Sequence, residues 1–227
     1  MKVVVFSHGH PVFSKGGAEL AAYYLWKGLD RRPDCRAWFI GRAHPEALHK
    51  LSTIAVMGER DYIVGGNAII ADLTATTPLG PDSDLADLLR SIDPDVVHFH
   101  HYVHLGIELI RLVRMICPRA KLLMTLHEFI AICMNDGRMV KTDGRLCHHY
   151  SPRECNLCFN HITQEDVFLR ERYIKSFFGL VGRFISPSQF LRDRYTAWGL
   201  ADEKFEVIEN GLPEADKVPP RPLQTQR

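Results

Sequence analysis

Short apolar runs rich in β-branched residues alternate with longer stretches of helical period along most of this chain. "KVVVFSH" (2–8) predicts a buried strand, and "GAELAAYYLWKGLD" (17–30) a helix with Leu20, Tyr23, Tyr24 and Lys27 at helical spacing. "CRAWFIG" (35–41) predicts a second strand. "DSDLADLLRSIDP" (82–94) opens on Asp and Ser capping candidates and stops at Pro94, as a helix does. "DVVHFHH" (95–101), "KLLMTLHEF" (121–129), "GRFISPS" (182–188) and "KFEVIENG" (204–211) predict further strands. Between them, "HLGIELIRLVRMIC" (104–117), a segment at 163–178 and another from Pro187 to about Trp198 predict helices. Residues 53–80 break into "STIAVMG", "YIVGG" and "AIIADLTA", strand-like or short helical pieces separated by glycines. Alternation this regular predicts an α/β fold, a parallel sheet with helices on both faces.

Composition narrows what that fold does. The 227 residues are 46% hydrophobic, enough for a sizeable core, and show no internal repeat. Lys+Arg 28 against Asp+Glu 27 leaves a net charge of +1, so no global field draws nucleic acid, and none is expected as a partner. "MKVVVFSHGHPVF" is too short in apolar residues for a signal peptide, and no apolar run reaches the roughly 18–20 residues of a membrane span. The expectation is a cytoplasmic chain with reduced thiols. "EADKVPPRPLQTQR" (214–227) loses apolar content and gains proline, and reads as a linker or frayed end.

In a parallel sheet, ligands bind beyond the carboxyl ends of the strands. Those places hold His8 and Gly9, then His98, His100 and His101, then His127 and Glu128, then Ser186 and Ser188, and last Asn210 and Gly211. A single histidine at a strand end is ordinarily a solvated or capping residue, but strand ends converge in space, and three of these end in histidine. "HGHPVFSKGGAELAAYY" follows the first strand and opens a helix whose free N–H groups suit an anion such as a diphosphate. Its Gly9, Gly16 and Gly17 do not make the dinucleotide fingerprint, and there is no Walker lysine, so neither a nicotinamide cofactor nor ATP is favoured. A glycine pair there also serves a tight turn.

"LCHHYSPRECNLCF" (146–159) is the other concentration of chemistry. With Cys133 the spacing is Cys133-x13-Cys147-x7-Cys155-x2-Cys158, and the closing C-x2-C is a common half of a tetrahedral zinc site. His148, His149 and His161 are substitute ligands. Three readings stay open: a structural zinc, reduced buried thiols or disulfides, and a redox or regulatory role. The segment from about 130 to 162 has little periodicity, and a loop that long ordinarily needs a staple. Cys35 and Cys117 sit in or beside regular elements and are expected in the core.

Five stretches in order, "GGAE" (16–19), "PDVVHFHH" (94–101), "LLMTLHEF" (122–129), "ISPSQFLRDRY" (185–195) and "VIENGLP" (207–213), resemble the N-terminal half of the group 1 (family 4) glycosyltransferases. The resemblance implies one half of a GT-B fold, in which two Rossmann-like domains face across a cleft and a sugar moves from a nucleotide donor with retention. It makes residues 1–213 the acceptor-side domain, with 130–162 a cysteine-rich insertion of a kind some members carry. It places Gly16 and Gly17 near the donor's phosphates or sugar, with Glu19 closing the same motif. It puts His127 beside the transferred sugar as the candidate catalytic residue. His98 and His100 become a pair lining the cleft, Ser186 and Ser188 the "SPS" turn, and Asn210 the turn entering the interdomain linker. Glu128 stands where the family often has Asp. No cofactor is required for catalysis, so zinc would be structural. The partners implied are a nucleotide-sugar donor and a glycan or lipid-linked acceptor. The family's Glu-x7-Glu element does not follow Gly211, so the expectation is a domain of a longer enzyme or, alternatively, an acceptor-binding module acting with a separate donor-binding subunit. "FLRERYIKSFFGLVGRF" (168–184), with Arg170, Arg172, Lys175 and Arg183 among aromatics, suits a peripheral membrane contact or else a helix that buries its aromatics.

Overall fold

A computed structural model describes residues 1–43, 53–65 and 80–212. The β-branched runs form strands β1 (Lys2–Ser7), β2 (Arg36–Arg42), β3 (Ile54–Gly58), β4 (Asp61–Val64), β5 (Val96–Phe99), β6 (Lys121–Thr125), β7 (Arg183–Ser186) and β8 (Phe205–Val207). They lie in one sheet, in the order β3-β4-β2-β1-β5-β6-β7-β8. Every pairing is parallel except β3 with β4. That exception departs from the all-parallel expectation for a local reason. Only Glu59 and Arg60 separate the two strands, Arg60 takes the left-handed φ of 59°, and so short a link permits only an antiparallel hairpin. The result is a Rossmann-like α/β sheet. "AIIADLTA" and the tail at 214–227 lie outside the described residues.

Helices α1 (Gly17–Asp30), α2 (Asp84–Ile92), α3 (Glu108–Ile116), α4 (Pro152–Cys158), α5 (Gln164–Phe178) and α6 (Gln189–Ala197) fill the connections. Side chains alternate across each strand, so both faces of the sheet are apolar. Val3, Val5, Ala37 and Phe39 pack on Ala22 and Trp26 of α1. Val4, Phe6, Val97, Phe99, Leu122, Met124 and Phe184 join residues of α2, α3, α5 and α6 in the larger core. Helices therefore cover both faces unequally, and of the described helices only α1 serves the smaller core. Cys35 and Cys117 are buried, as the sequence predicts.

The helical spacing of Leu20, Tyr23, Tyr24 and Lys27 does not mark the buried stripe of α1. Glu19, Ala22 and Trp26 face inward, while Lys27 is exposed and stands 4.0 Å over the Trp26 ring. The helix turns this way because the Trp26 indole N–H donates to the Ala37 carbonyl of β2 at 3.0 Å, which fixes the largest side chain under the sheet. Polar residues close the starts of α2, α5 and α6, the first of them at the Ser83 that the sequence offers as a cap candidate. Ser83 accepts from the Ala86 N–H at the start of α2, Thr163 and Asp166 make a reciprocal capping box on α5, and Ser188 caps α6 through the Leu191 N–H.

The aromatics of α5 and the strand after it go mainly to the core. Phe177, Phe178 and Phe184 are buried, Arg170 donates to the Ile130 and Ala131 carbonyls, and Lys175 pairs with Glu171. Among the described residues no helix is long and apolar enough to cross a membrane.

Tyr195 of α6 is fully buried, and its hydroxyl donates to the Glu128 carbonyl at 2.9 Å. Tyr195→Phe leaves that carbonyl without its partner, so the unfolding free energy should fall by about 1–3 kcal/mol. Urea denaturation checks this, with an unchanged m value as the sign that packing is otherwise intact.

Candidate active site

Parallel register brings the carboxyl ends of β1, β5 and β6 to one edge, where histidines gather. The His8 ring lies 4.4 Å from that of His101 and 6.3 Å from that of His104, His98 lies 4.5 Å from His100, and His100 lies 5.2 Å from His127. His100 Nδ1 and His127 Nε2 share a hydrogen bond of 3.1 Å. His98 turns inward to Thr125 Oγ1 at 2.8 Å and is buried, as is His100, whereas His127 is half-buried. His100 Nε2 and His8 Nδ1 are buried without a hydrogen-bond partner.

Two tautomers follow from the backbone. His101 Nδ1 accepts the N–H groups of Tyr102 (3.1 Å) and Val103 (3.0 Å), so its proton sits on Nε2 and points to Glu128 Oε1 at 3.1 Å. His10 Nδ1 likewise accepts from the Val12 N–H at 3.2 Å, and Nε2 donates to Asp61 Oδ1 at 3.1 Å. Glu128 also accepts the Ile130 N–H, which folds its carboxylate back over its own loop.

Burial disfavours the charged forms of His8, His98, His100 and His127. It lowers His127 to about 4, with the charge of His101 adding to the effect, and His98 to about 4, with His127 adding. His8 falls to about 2 through burial and then repulsion from His101, His104 and His127; its 3.4 Å approach to Glu19 is therefore a contact of a neutral imidazole, not an ion pair. His100 is also lowered well below the ordinary range, by burial first and then by its four histidine neighbours.

The glycine loop closes over a carboxylate. Gly16 is the N-cap of α1, and a side chain there would strike the Glu19 carboxylate, as would one at Gly9. Glu19 is buried and accepts from Ser14 Oγ at 2.8 Å. The first turn of α1 thus already holds a negative group, where a helix N-terminus favours one. Gly17 faces open space.

The remaining candidates fall into two groups. Ser186 Oγ donates to the Ser188 carbonyl at 2.7 Å and Ser188 Oγ accepts the Leu191 N–H at 3.2 Å, so both hydroxyls are engaged by the turn into α6. Asn210 is exposed beyond β8, away from the named contacts of the histidine edge. Cys133, Cys147, Cys155 and Cys158 are unpaired and together line a pocket of about 370 Å³ in the insertion. Burial and the other thiols push Cys147 up, and Cys155 up to about 11. As placed, no three His, Cys, Asp or Glu side chains among the described residues form a group that could hold a metal ion.

Sequence reasoning missed Arg42, His104 and Thr125. Arg42 ends β2, is 4% exposed, donates to the His104 carbonyl and, among the described residues, leaves Nε and Nη2 without a partner beside a pocket lined by Val64, Leu85, His104, Leu105 and Leu109. The signal was available, since an arginine closing an apolar strand lies at the ligand-binding edge of a parallel sheet.

The model of the family described as Glycosyltransferase Family 4 matches residues 15–215. No curated protein sequence matches the chain. Among solved structures, Anabaena HepE in complex with UDP is 15% identical over 93% of this chain and 44% of that chain, with a TM-score of 0.46. The lipopolysaccharide outer core galactosyltransferase WaaB is 10% identical over 100% of this chain and 50% of that one, with a TM-score of 0.49. The UDP-GlcNAc 2-epimerase from Neisseria meningitidis bound to UDP-GlcNAc is 11% identical over 91% and 45%, with a TM-score of 0.46. The chain spans about half the length of these structures.

The lowered histidines make stability depend on pH in one direction. The unfolded chain takes up these protons near 6.5, while folded His98 and His127 refuse them until about 4 and His8 until about 2. Stability should be fully present above pH 6.5 and fall as pH drops toward 4, by up to about 1.4 kcal/mol per pH unit for each excluded proton. Urea midpoints measured between pH 7.5 and 4.5 check this. A His98→Asn variant should show the shallower fall, and equal slopes would remove His98 from the effect.

Proposed function

The chain belongs to glycosyltransferase family 4, and from that premise we propose that it is the acceptor-side domain of an enzyme moving a sugar from a nucleotide-sugar donor to a glycan or lipid-linked acceptor, with retention at the anomeric carbon. The observation that carries the proposal is the family match across residues 15–215, a span that includes the glycine loop and the edge bearing His100, His101 and His127. A second domain facing this edge, completing a GT-B arrangement, would hold the nucleotide.

The roles follow from the electrostatics. A histidine lowered to about 4 is neutral at pH 7 and a weak base, so His127 acts as a hydrogen-bonding group toward a sugar hydroxyl rather than as the general base. His100 orients it through the 3.1 Å bond. Glu19 already fills the N-terminal turn of α1, and a diphosphate brought there would meet a carboxylate. Glu19 and the open backbone at Gly17 therefore serve sugar or acceptor hydroxyls, and the diphosphate falls to the second domain. Arg42, with two unpartnered nitrogens, suits an anionic group on the acceptor.

Two outcomes test this. In the full-length enzyme, His127→Ala should lower kcat by about 100-fold or more while the thermal melt stays within a few degrees of wild type. Normal turnover would take His127 out of the site. Titrated with a nucleotide sugar in a calorimeter, the present chain alone should show no saturable micromolar binding. Such binding would overturn the division of labour between the two domains.

A further inference from the structure

We propose that Cys133, Cys147, Cys155 and Cys158 bind one zinc ion that holds the 130–162 insertion together. The four residues come from three separate pieces of chain. Cys133 lies in the turn after the histidine edge, Cys147 follows the isolated bridge between Val140 and Leu146, and Cys155 and Cys158 lie on consecutive turns of α4. All four line one pocket, and none of them is in a disulfide.

The insertion lacks the means to hold itself by burial. From 133 to 162 Gly137 is the one buried residue, and α4 buries none of its side chains. A segment of that length with so little apolar content needs a cross-link to keep one conformation. The pocket supplies the surroundings such a link requires. The Thr142 N–H donates to Cys158 Sγ at 3.3 Å, and the Lys141 ammonium, held by Glu154 at 2.7 Å, lines the same pocket, a positive charge beside what becomes a doubly negative centre. His148, His149 and His161 are exposed, which leaves the ligand set to sulfur.

Four thiolates around a closed tetrahedron select zinc, in a structural role with no open position. Binding releases four thiol protons to solvent as four Zn–S bonds form. The sulfurs as placed do not form a ready-made ligand group, so zinc binding has to draw them together within the pocket that all four line.

The experiment uses full-length protein purified with reductant and without chelator, and it reads metal and thiols rather than transfer, so its result is independent of the glycosyltransferase assignment. Elemental analysis should give about one zinc per chain, and X-ray absorption four sulfurs at about 2.3 Å. Chelation should expose four more thiols to a thiol-specific reagent and lower the melting temperature by several degrees, and added zinc should reverse both. The double variant Cys155→Ser, Cys158→Ser should lose the zinc; should it fail to fold, the chelation of wild type decides alone. Zinc well below one equivalent with all thiols reactive, iron in its place, or a mass lowered by disulfide formation with no metal would each overturn the proposal.

Discussion

Burial of uncharged imidazoles at the carboxyl edge of the sheet is the constraint around which the rest of the molecule is arranged. β1 pairs with β5 and β5 with β6 in parallel register, so the chain leaves all three strands on the same side, carrying His8, His98 to His101 and His127. Packed this closely, a proton on His8, His98, His100 or His127 would be stranded from water and repelled by its neighbours. The edge is therefore rich in hydrogen-bonding atoms yet carries little charge of its own. Its anionic members, Glu19 and Glu128, are drawn in against backbone or side-chain donors, and its one buried guanidinium, Arg42, lies to one side. Such a surface discriminates by the direction of hydrogen-bonding groups more readily than by net charge.

The strands and most helices could be read from the sequence because their signals are local: β-branched runs, capping residues before helices, prolines after them. The position of the site could be read as well, since strand ends are where such sheets bind ligands. What could not be read depended on contacts between distant residues. The rotation of α1 is decided by an indole reaching the Ala37 carbonyl, and no periodicity records that. The inward turn of His98 depends on Thr125 in the next strand, and the strand-end position of each is visible while their bond is not. Ser186 and Ser188 looked alike as polar residues at a strand end, but their hydroxyls close a turn and cap a helix. The antiparallel β3 followed from the shortness of one link inside a segment too broken to interpret by pattern.

A last consequence concerns the six residues from Glu128 to Cys133. The Glu128 carbonyl is held by Tyr195, those of Ile130 and Ala131 by Arg170, and the Glu128 side chain by the Ile130 N–H. Gly137, with a left-handed φ of 68°, comes so close to Ile130 that a side chain there would collide with its backbone. On the far side, Thr163 and its capping box fix the point where α5 begins. Both ends of the insertion are thus anchored to the body of the domain by groups outside it. This makes the insertion modular: its length and shape can drift between relatives, or be exchanged by design, while the positions of His127 and Glu128 stay where α5 and α6 put them.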